Sequence, residues 1–322
     1  MGLFTRIASA AGFSNGRVWD PETSLPDLSG KVAIVTGGNT GIGFITAQQL
    51  HWKGAKVYIA CRSEERARNA KERMDSERPG GEANLAYLPF DLTDLESAKS
   101  AAQVVLDQEE RLDIVVCNAG VMAWPYELKN GVEVQFWNHL GHFALVHHLL
   151  PLLIQTSKLP HSSVRVVNVS SLGHALTSRP DFSSLEGVNK RMLTTWHRYG
   201  MSKLANILFT VELQERLKGE NIRVNCCHPG NIATELTRGP VASYGILGSA
   251  MQAGSRFCMT PSEGAKTQLY LAASTEVDEK DYRGQYFMPI ATPATPSALA
   301  QDKELAKQLW QLSEKVVRGD AA

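Results

Sequence analysis

No run of about 18 consecutive apolar residues occurs in the sequence, so no segment has the length of a membrane-spanning helix. Charge of neither sign is in surplus. Lys+Arg and Asp+Glu are both 33, which argues against capture of nucleic acid or an anionic surface and for a small-molecule partner. Cysteine is scarce: Cys61, Cys117, Cys226, Cys227 and Cys258 form neither a C-x-x-C pair nor an even disulfide framework. A reducing, cytoplasmic setting is the expectation. No metal site is expected, because His139, His142, His147 and His148 come without the glutamate of H-E-x-x-H or a companion cysteine and read as packing or surface residues. The sequon Asn168-Val169-Ser170 lies in an apolar strand pattern and is expected to stay unglycosylated. Internal repeats and low-complexity tracts are absent.

What is present is a chain of 322 residues, 43% of them apolar, enough for one large α/β domain over residues 28–322. Residues 1–27, with Leu3, Phe4, Ile7 and Phe13 ahead of a Pro/Asp/Ser-rich piece, read as an arm over the domain surface, with weak membrane contact as the alternative. The Met-Gly start carries Arg6 where a myristoylation signal has Ser or Thr.

Residues 31–37 (KVAIVTG) form a β-branched run ending in glycine, the pattern of a strand buried on both faces of a parallel sheet. The turn that follows, Thr36-Gly37-Gly38-Asn39-Thr40-Gly41-Ile42-Gly43, lies directly before an amphipathic helix. Glycine there permits positive φ, close approach of backbone to a phosphate and close packing of helix on strand, and the free N–H groups of the helix point at a pyrophosphate. The second strand, 56–62, ends about 20 residues past this turn, where an NAD-binding domain places a carboxylate for the ribose 2′-hydroxyl. Arg62 stands there instead, and a guanidinium favours a 2′-phosphate, hence NADP(H), with Asn39 or Thr40 assisting.

Further along, Tyr199 and Lys203 lie four apart in a helical pattern, on one face. A fixed ammonium favours phenolate; lowering a tyrosine from about 10 by about three units takes roughly 4 kcal/mol, within reach of one lysine and a cationic nicotinamide.

The glycine spacing is G-x-x-x-G-x-G (Gly37, Gly41, Gly43), and with Asn118-Ala119-Gly120, Ser171 and Tyr199-x-x-x-Lys203 in order the chain resembles the short-chain dehydrogenase/reductase family from about residue 28 onward. Ser171-Leu172-Gly173-His174 and residues 202–209 resemble its retinol dehydrogenase-like branch. The resemblance implies a doubly wound Rossmann fold with a seven-stranded parallel sheet. It further implies that Ser171 and Tyr199 hold the substrate oxygen, that Lys203 assists Tyr199 and the nicotinamide ribose, and that Asn138 bends its helix and holds a relay water. Cofactor contacts carried over in the same way are Gly37, Ile42 and the other turn residues, Asp91 and Leu92 at the adenine, Asn118, Ala119 and Gly120, then Pro229, Gly230, Ile232 and Thr234 at the carboxamide.

Asp94 reads as a helix cap, and a long helix is expected from Gly131 through Leu153, with Phe143 and Leu145 to Leu153 as core or homodimer face. The gap from Ser171 to Tyr199 is longer than is common in the family, so its insert (Phe182, Leu185, Met192, Trp196) is expected over the site, and residues 235–260 read as an apolar substrate lid. The expected activity is NADP(H)-dependent interconversion of a lipophilic ketone or aldehyde and its alcohol, as a tailoring step in specialised-metabolite biosynthesis. The alternatives are NAD-dependent oxidation of a retinoid- or steroid-like alcohol and a non-catalytic dinucleotide-sensing scaffold.

Overall fold

The computed structural model describes residues 17–78, 84–232, 238–245 and 259–320. Strands β1 (Val32–Thr36), β2 (Lys56–Cys61), β3 (Leu85–Pro89), β4 (Ile114–Cys117), β7 (Val164–Val169), β8 (Ile222–Cys227), β9 (Tyr286–Met288) and β10 (Thr292–Ala294) build one sheet, and β5 (Leu128–Lys129) and β6 (Val132–Glu133) a separate hairpin. The principal helices are α1 (Gly41–Trp52), α2 (Glu64–Glu77), α3 (Leu95–Gln108), α4 (Trp137–Ser157), α5 (Thr195–Arg216), α6 (Arg238–Tyr244), α7 (Pro261–Ala273) and α8 (Lys303–Arg318). The sheet order is β10-β9-β8-β7-β4-β1-β2-β3, parallel except at β10, so this is a doubly wound α/β Rossmann fold.

Every residue of β1, β4, β7 and β8 is buried, because helices cover both faces of the sheet. Ala33, Val35, Val57 and Ile59 pack on one side with Leu269 of α7, while Ile34, Tyr58, Val115 and Val166 pack on the other with Phe143 of α4 and Phe209 of α5. Phe143, Leu145, Leu149, Leu152 and Leu153 are all core residues, each contributing about 1.5–3 kcal/mol by leaving water. Asp94 caps α3 as expected, its side chain accepting from the Glu96 N–H at 2.9 Å.

Three boundaries differ from the sequence reading. The sheet carries an eighth strand, β10, antiparallel to β9. Its Thr-Pro-Ala sequence hides it, since proline donates no ladder hydrogen bond and is tolerated only at an edge. The long helix begins at Trp137, not Gly131, because Asn130 and Gly131 both have positive φ (50° and 78°) and turn the β5-β6 hairpin. Part of the N-terminal arm belongs to the core: Trp19 and Leu25 are buried, and the Trp19 ring meets Tyr270 edge-on at 5.7 Å.

Candidate active site

The carboxyl ends of β1, β4, β7 and β8 open on one side of the sheet, where doubly wound folds place ligands. Thr40 precedes α1 in extended conformation with no side-chain cap, so the first N–H groups of the helix are left for an incoming acceptor. A Cβ on Gly43 would collide with the Asn118 side-chain amide and the Gly37 carbonyl, so only glycine lets helix, turn and N-A-G loop meet here. Thr36 joins these parts: its Oγ accepts the N–H of Asn118 and of Ala119, both at 2.9 Å, and its carbonyl accepts Asn118 Nδ2 at 2.8 Å. The uncapped helix start and the close glycine cradle fit a dinucleotide's diphosphate.

Ser171 ends the β7 segment and starts the 3₁₀ turn Leu172–Leu176, with Oγ accepting from the Gly173 N–H at 3.1 Å. Residue 173 must be small, since a Cβ there would lie 3.1 Å from Tyr199 Cε1. Tyr199 and Lys203 share the face of α5 turned toward β7, both buried. Lys203 Nζ donates to the Val169 carbonyl at 2.9 Å and lies 5.8 Å from the centre of the Tyr199 ring. Ser170 holds the helix from beneath, its Oγ donating to the Lys203 carbonyl at 2.7 Å. Asn138, at the start of α4, is fully buried. Its Oδ1 accepts the Val121 N–H and its Nδ2 donates to the Val121 carbonyl, both at 2.8 Å, and also to Ser202 Oγ at 3.0 Å.

Burial dominates the electrostatics of this cluster. It pushes the Tyr199 phenol up to about 12, against the downward pull of its hydrogen bond with Ser171. It pushes the Lys203 ammonium down to about 8. Lys203 alone does not bring the phenol down, since its ammonium donates to the Val169 carbonyl and desolvation penalises both charged forms; the expected lowering called for the lysine together with a cationic nicotinamide.

The loop after β8 is pinned to the far end of the expected lid: Ile232 bridges Met259, and Gly230, at φ 105°, packs where a Cβ would meet the Met259 sulfur at 2.5 Å. Pro229 leads into this turn; Thr234 lies outside the described residues, as does most of 235–260. Within that stretch α6 is described: Ser243 Oγ donates to the Ala123 carbonyl at 2.6 Å, and the Tyr244 hydroxyl meets Thr195 Oγ1 at 2.6 Å. Of the insert, Phe182 fills the core beside Phe136 rather than covering the site, while Trp196 stands edge-on to Tyr199 at 6.2 Å.

Arg62 is exposed at the end of β2, and its carbonyl accepts from the Tyr87 hydroxyl at 3.4 Å. Beside it a groove of about 600 Å³ runs between the glycine turn and α2, lined by Asn39, Thr40, Ile45, Arg66, Asn69 and Arg73 among others. Arg66 and Arg73 escaped the sequence reading, although i and i+7 on one helix share a face. Asp91 and Leu92 sit at the far side of the cradle. Asp91 Oδ1 accepts the N–H and the hydroxyl of Thr93, and the Leu92 carbonyl packs where a Cβ on Gly141 would strike it.

A glycine cradle, an N-A-G loop and a Ser-Tyr-Lys cluster on a doubly wound sheet define a dinucleotide-dependent oxidoreductase acting on a CH–OH or carbonyl carbon. The short chain dehydrogenase family model matches residues 31–183 and 181–243, and the chain belongs to that family, resembling its retinol dehydrogenases. It is 37% identical to the short chain dehydrogenase/reductase dpchH of Colletotrichum higginsianum, over 100% of this chain and 83% of that protein. It is 38% identical to retinol dehydrogenase 11 of Mus musculus, over 90% of this chain and 87% of that one. Among solved structures, the Pseudomonas aeruginosa RhlG/NADP active-site complex superposes with a TM-score of 0.62 at 26% identity, covering 85% of this chain and 98% of the other.

Proposed function

We propose that the protein is an NADP(H)-dependent reductase of lipophilic ketones or aldehydes, running the same step in reverse as an alcohol dehydrogenase. The observation that carries this is the cluster of half-buried Ser171 with buried Tyr199 and Lys203 at the carboxyl edge of the sheet, next to the glycine cradle. Bound there, the nicotinamide supplies or accepts hydride at the carbonyl carbon. Ser171 and Tyr199 hold the substrate oxygen, and Tyr199 hands it a proton as the carbon is reduced. With its pKa raised, the phenol stays protonated across neutral pH, the state reduction needs. Lys203 holds the ribose and restores the proton, and Asn138 completes the route outward. Gly37, Asn39, Thr40, Gly41, Ile42 and Gly43 would hold the diphosphate, Asp91 and Leu92 the adenine, Asn118 to Gly120 the ribose side, and Pro229 to Ile232 with Thr234 the carboxamide.

The preference for a 2′-phosphate rests on the cations beside the glycine turn: Arg62, with Arg66 and Arg73 on the groove wall. Trp196 edge-on to Tyr199, the exposed side chains of Leu176 and Leu193 in the Ser171–Tyr199 insert, and the apolar composition of residues 235–260 support a lipophilic substrate. A tailoring step in specialised-metabolite biosynthesis in the cytoplasm is the setting we assign, in keeping with four buried free thiols. A second reading, NAD-dependent oxidation of a retinoid-like alcohol, draws on the retinol dehydrogenase relative. The test is a panel of decanal, retinal and a steroid ketone followed by loss of NADPH or NADH absorbance, with Arg62→Asp alongside. Reduction with NADPH, and reversal of cofactor preference in the variant, is the expected result; equal use of both cofactors by the wild type would sink the NADP(H) assignment.

A further inference from the structure

Two histidines that the chemistry above does not use stand directly behind the catalytic residues, each closing a Leu-Gly-His triplet: Leu140-Gly141-His142 in α4 and Leu172-Gly173-His174 after β7. Both are buried, at 1% and 3% exposure. His142 Nδ1 lies 2.8 Å from the main-chain carbonyl of Asn138, and His174 Nδ1 lies 2.7 Å from that of Ser171. At the other ring nitrogen, His142 Nε2 is 2.8 Å from Thr36 Oγ1, and His174 Nε2 accepts the Ser297 N–H at 3.0 Å.

These partners leave one protonation state for each ring. A carbonyl only accepts, so both Nδ1 atoms carry hydrogen; the Ser297 amide only donates, so Nε2 of His174 is bare. Thr36 Oγ1 already accepts two N–H groups, and its own proton points at His142 Nε2 at 2.8 Å in preference to the Val116 carbonyl at 3.3 Å. Each imidazole is therefore a neutral two-ended tie with a fixed sense. Burial works in the same direction, holding both rings below the ordinary histidine value.

We propose that His142 and His174 are positioning residues with separate tasks: His142 couples Asn138 to the Thr36 anchor of the cofactor cradle, and His174 locks the Ser171 turn against the segment that follows β10. The proposal rests on the reading above in taking Ser171 and Asn138 as participants in the reaction. The tasks separate because the far ends differ. Thr36 organises Asn118 and Ala119, which belong to the cofactor side, whereas Ser297 touches no part of the cradle and steadies only the turn that aims Ser171 at Tyr199. Misplacing a substrate-holding group by about 1 Å costs on the order of 10²-fold in rate, so even a partial loosening is measurable.

The experiment compares NADPH dissociation constants from fluorescence, steady-state constants with decanal as the carbonyl probe, and melting temperature. His174→Phe is expected to lower kcat/KM for decanal about 10-fold with NADPH binding unchanged. His174→Asn, whose amide reaches the position of Nδ1 but gives up the Ser297 N–H, is expected to recover only part of that loss, to about 3-fold below wild type. Ser297→Pro removes the N–H alone at a site whose φ is already −57°, so it reads the same tie without disturbing the ring, with an expected loss of about 3-fold. His142→Phe is expected to weaken NADPH binding about 10-fold, and His142→Asn, which keeps the Asn138 bond but gives up Thr36, about 3-fold. Melting temperatures that fall while both constants stay at wild-type values would reduce the two rings to packing and overturn the proposal, as would full wild-type activity in His174→Asn, which lacks the Ser297 tie. If the wild type reduces no carbonyl, it is the functional reading that fails; the NADPH arm still decides the role of His142.

Discussion

At the amino ends of the strands, buried charge is met by opposite charge. Asp113, 1% exposed beside β4, accepts both forks of Arg111 at 2.6 and 2.8 Å, Lys31 at 3.2 Å and the Val32 N–H at 3.0 Å. Arg165 in β7 and Arg223 in β8, cross-strand neighbours, share Asp278 at 2.5 and 2.8 Å. At the carboxyl ends Tyr199, Lys203, His174 and His228 are buried and Ser171 half-buried, and none of these five has a carboxylate partner among the described interactions; the buried carboxylate of Glu133 is taken by Arg198 at 2.9 Å. One end of the sheet is electrostatically closed and serves stability. The other keeps titratable groups desolvated and ready for a substrate oxygen, and their pKa values move because nothing of opposite charge compensates burial.

The contrast breaks if each end does the other's work. The largest effect belongs to Tyr199→Phe, which should lower turnover by a factor of about 10² or more, with melting temperature and NADPH affinity held; a variant that kept its rate would remove the proton donor from the scheme. Next comes Asp113→Ala, which strands Arg111 and Lys31 beside the buried start of β1. It should cost about 3 kcal/mol in urea unfolding while kcat of the folded fraction stays near wild type. A loss of activity larger than the loss of folded protein would show the two ends are not separate.

A pH profile sharpens the comparison without mutation. With Lys203 held down to about 8, its ammonium is present below that pH and lost above it, so kcat/KM for reduction should decline above about pH 8. A profile flat to pH 10 would contradict this. The smallest effect is expected at the exposed pair Lys218–Glu215, 3.0 Å apart, where Lys218→Ala should leave both the urea midpoint and the activity at wild-type values.

The legible parts of the fold are those with local signatures. The β-branched runs of β1, β2, β4, β7 and β8 and the glycine turn were readable because burial on both faces demands continuous apolar strands and the turn demands glycine. Edge strand β10 was not, since a three-residue strand with a central proline has no period to detect. The hairpin ahead of α4 was hidden because its strands are only two residues each, too short for the alternation of Val132, Val134 and Phe136 to stand out from the helical run that follows, and the Asn130-Gly131 turn is the one local signal for it.

The candidate site divides in the same way. Ser171, Tyr199, Lys203 and Asn138 were named from spacing and resemblance, and the structure brings them together around β7 and the start of α5. Thr36 as the anchor of the N-A-G loop was not named, nor were Arg66 and Arg73 on the groove, because their partners come from elements far apart in the chain. His142 reads as packing or surface and His174 only as part of the Ser171-Leu172-Gly173-His174 resemblance, since the sequence does not reveal which carbonyl each nitrogen will face.

By itself the order of residues determined the buried strands, the glycine turn and the shared helix face of Tyr199 and Lys203, because these follow from periodicity, glycine geometry and helix spacing; the doubly wound order and the places of Ser171 and Asn138 came through family resemblance. The tertiary structure alone decided the protonation of the cluster and the ties behind it. Those depend on how completely distant segments exclude water and on which donor ends opposite which acceptor, and neither quantity exists until the strands are assembled.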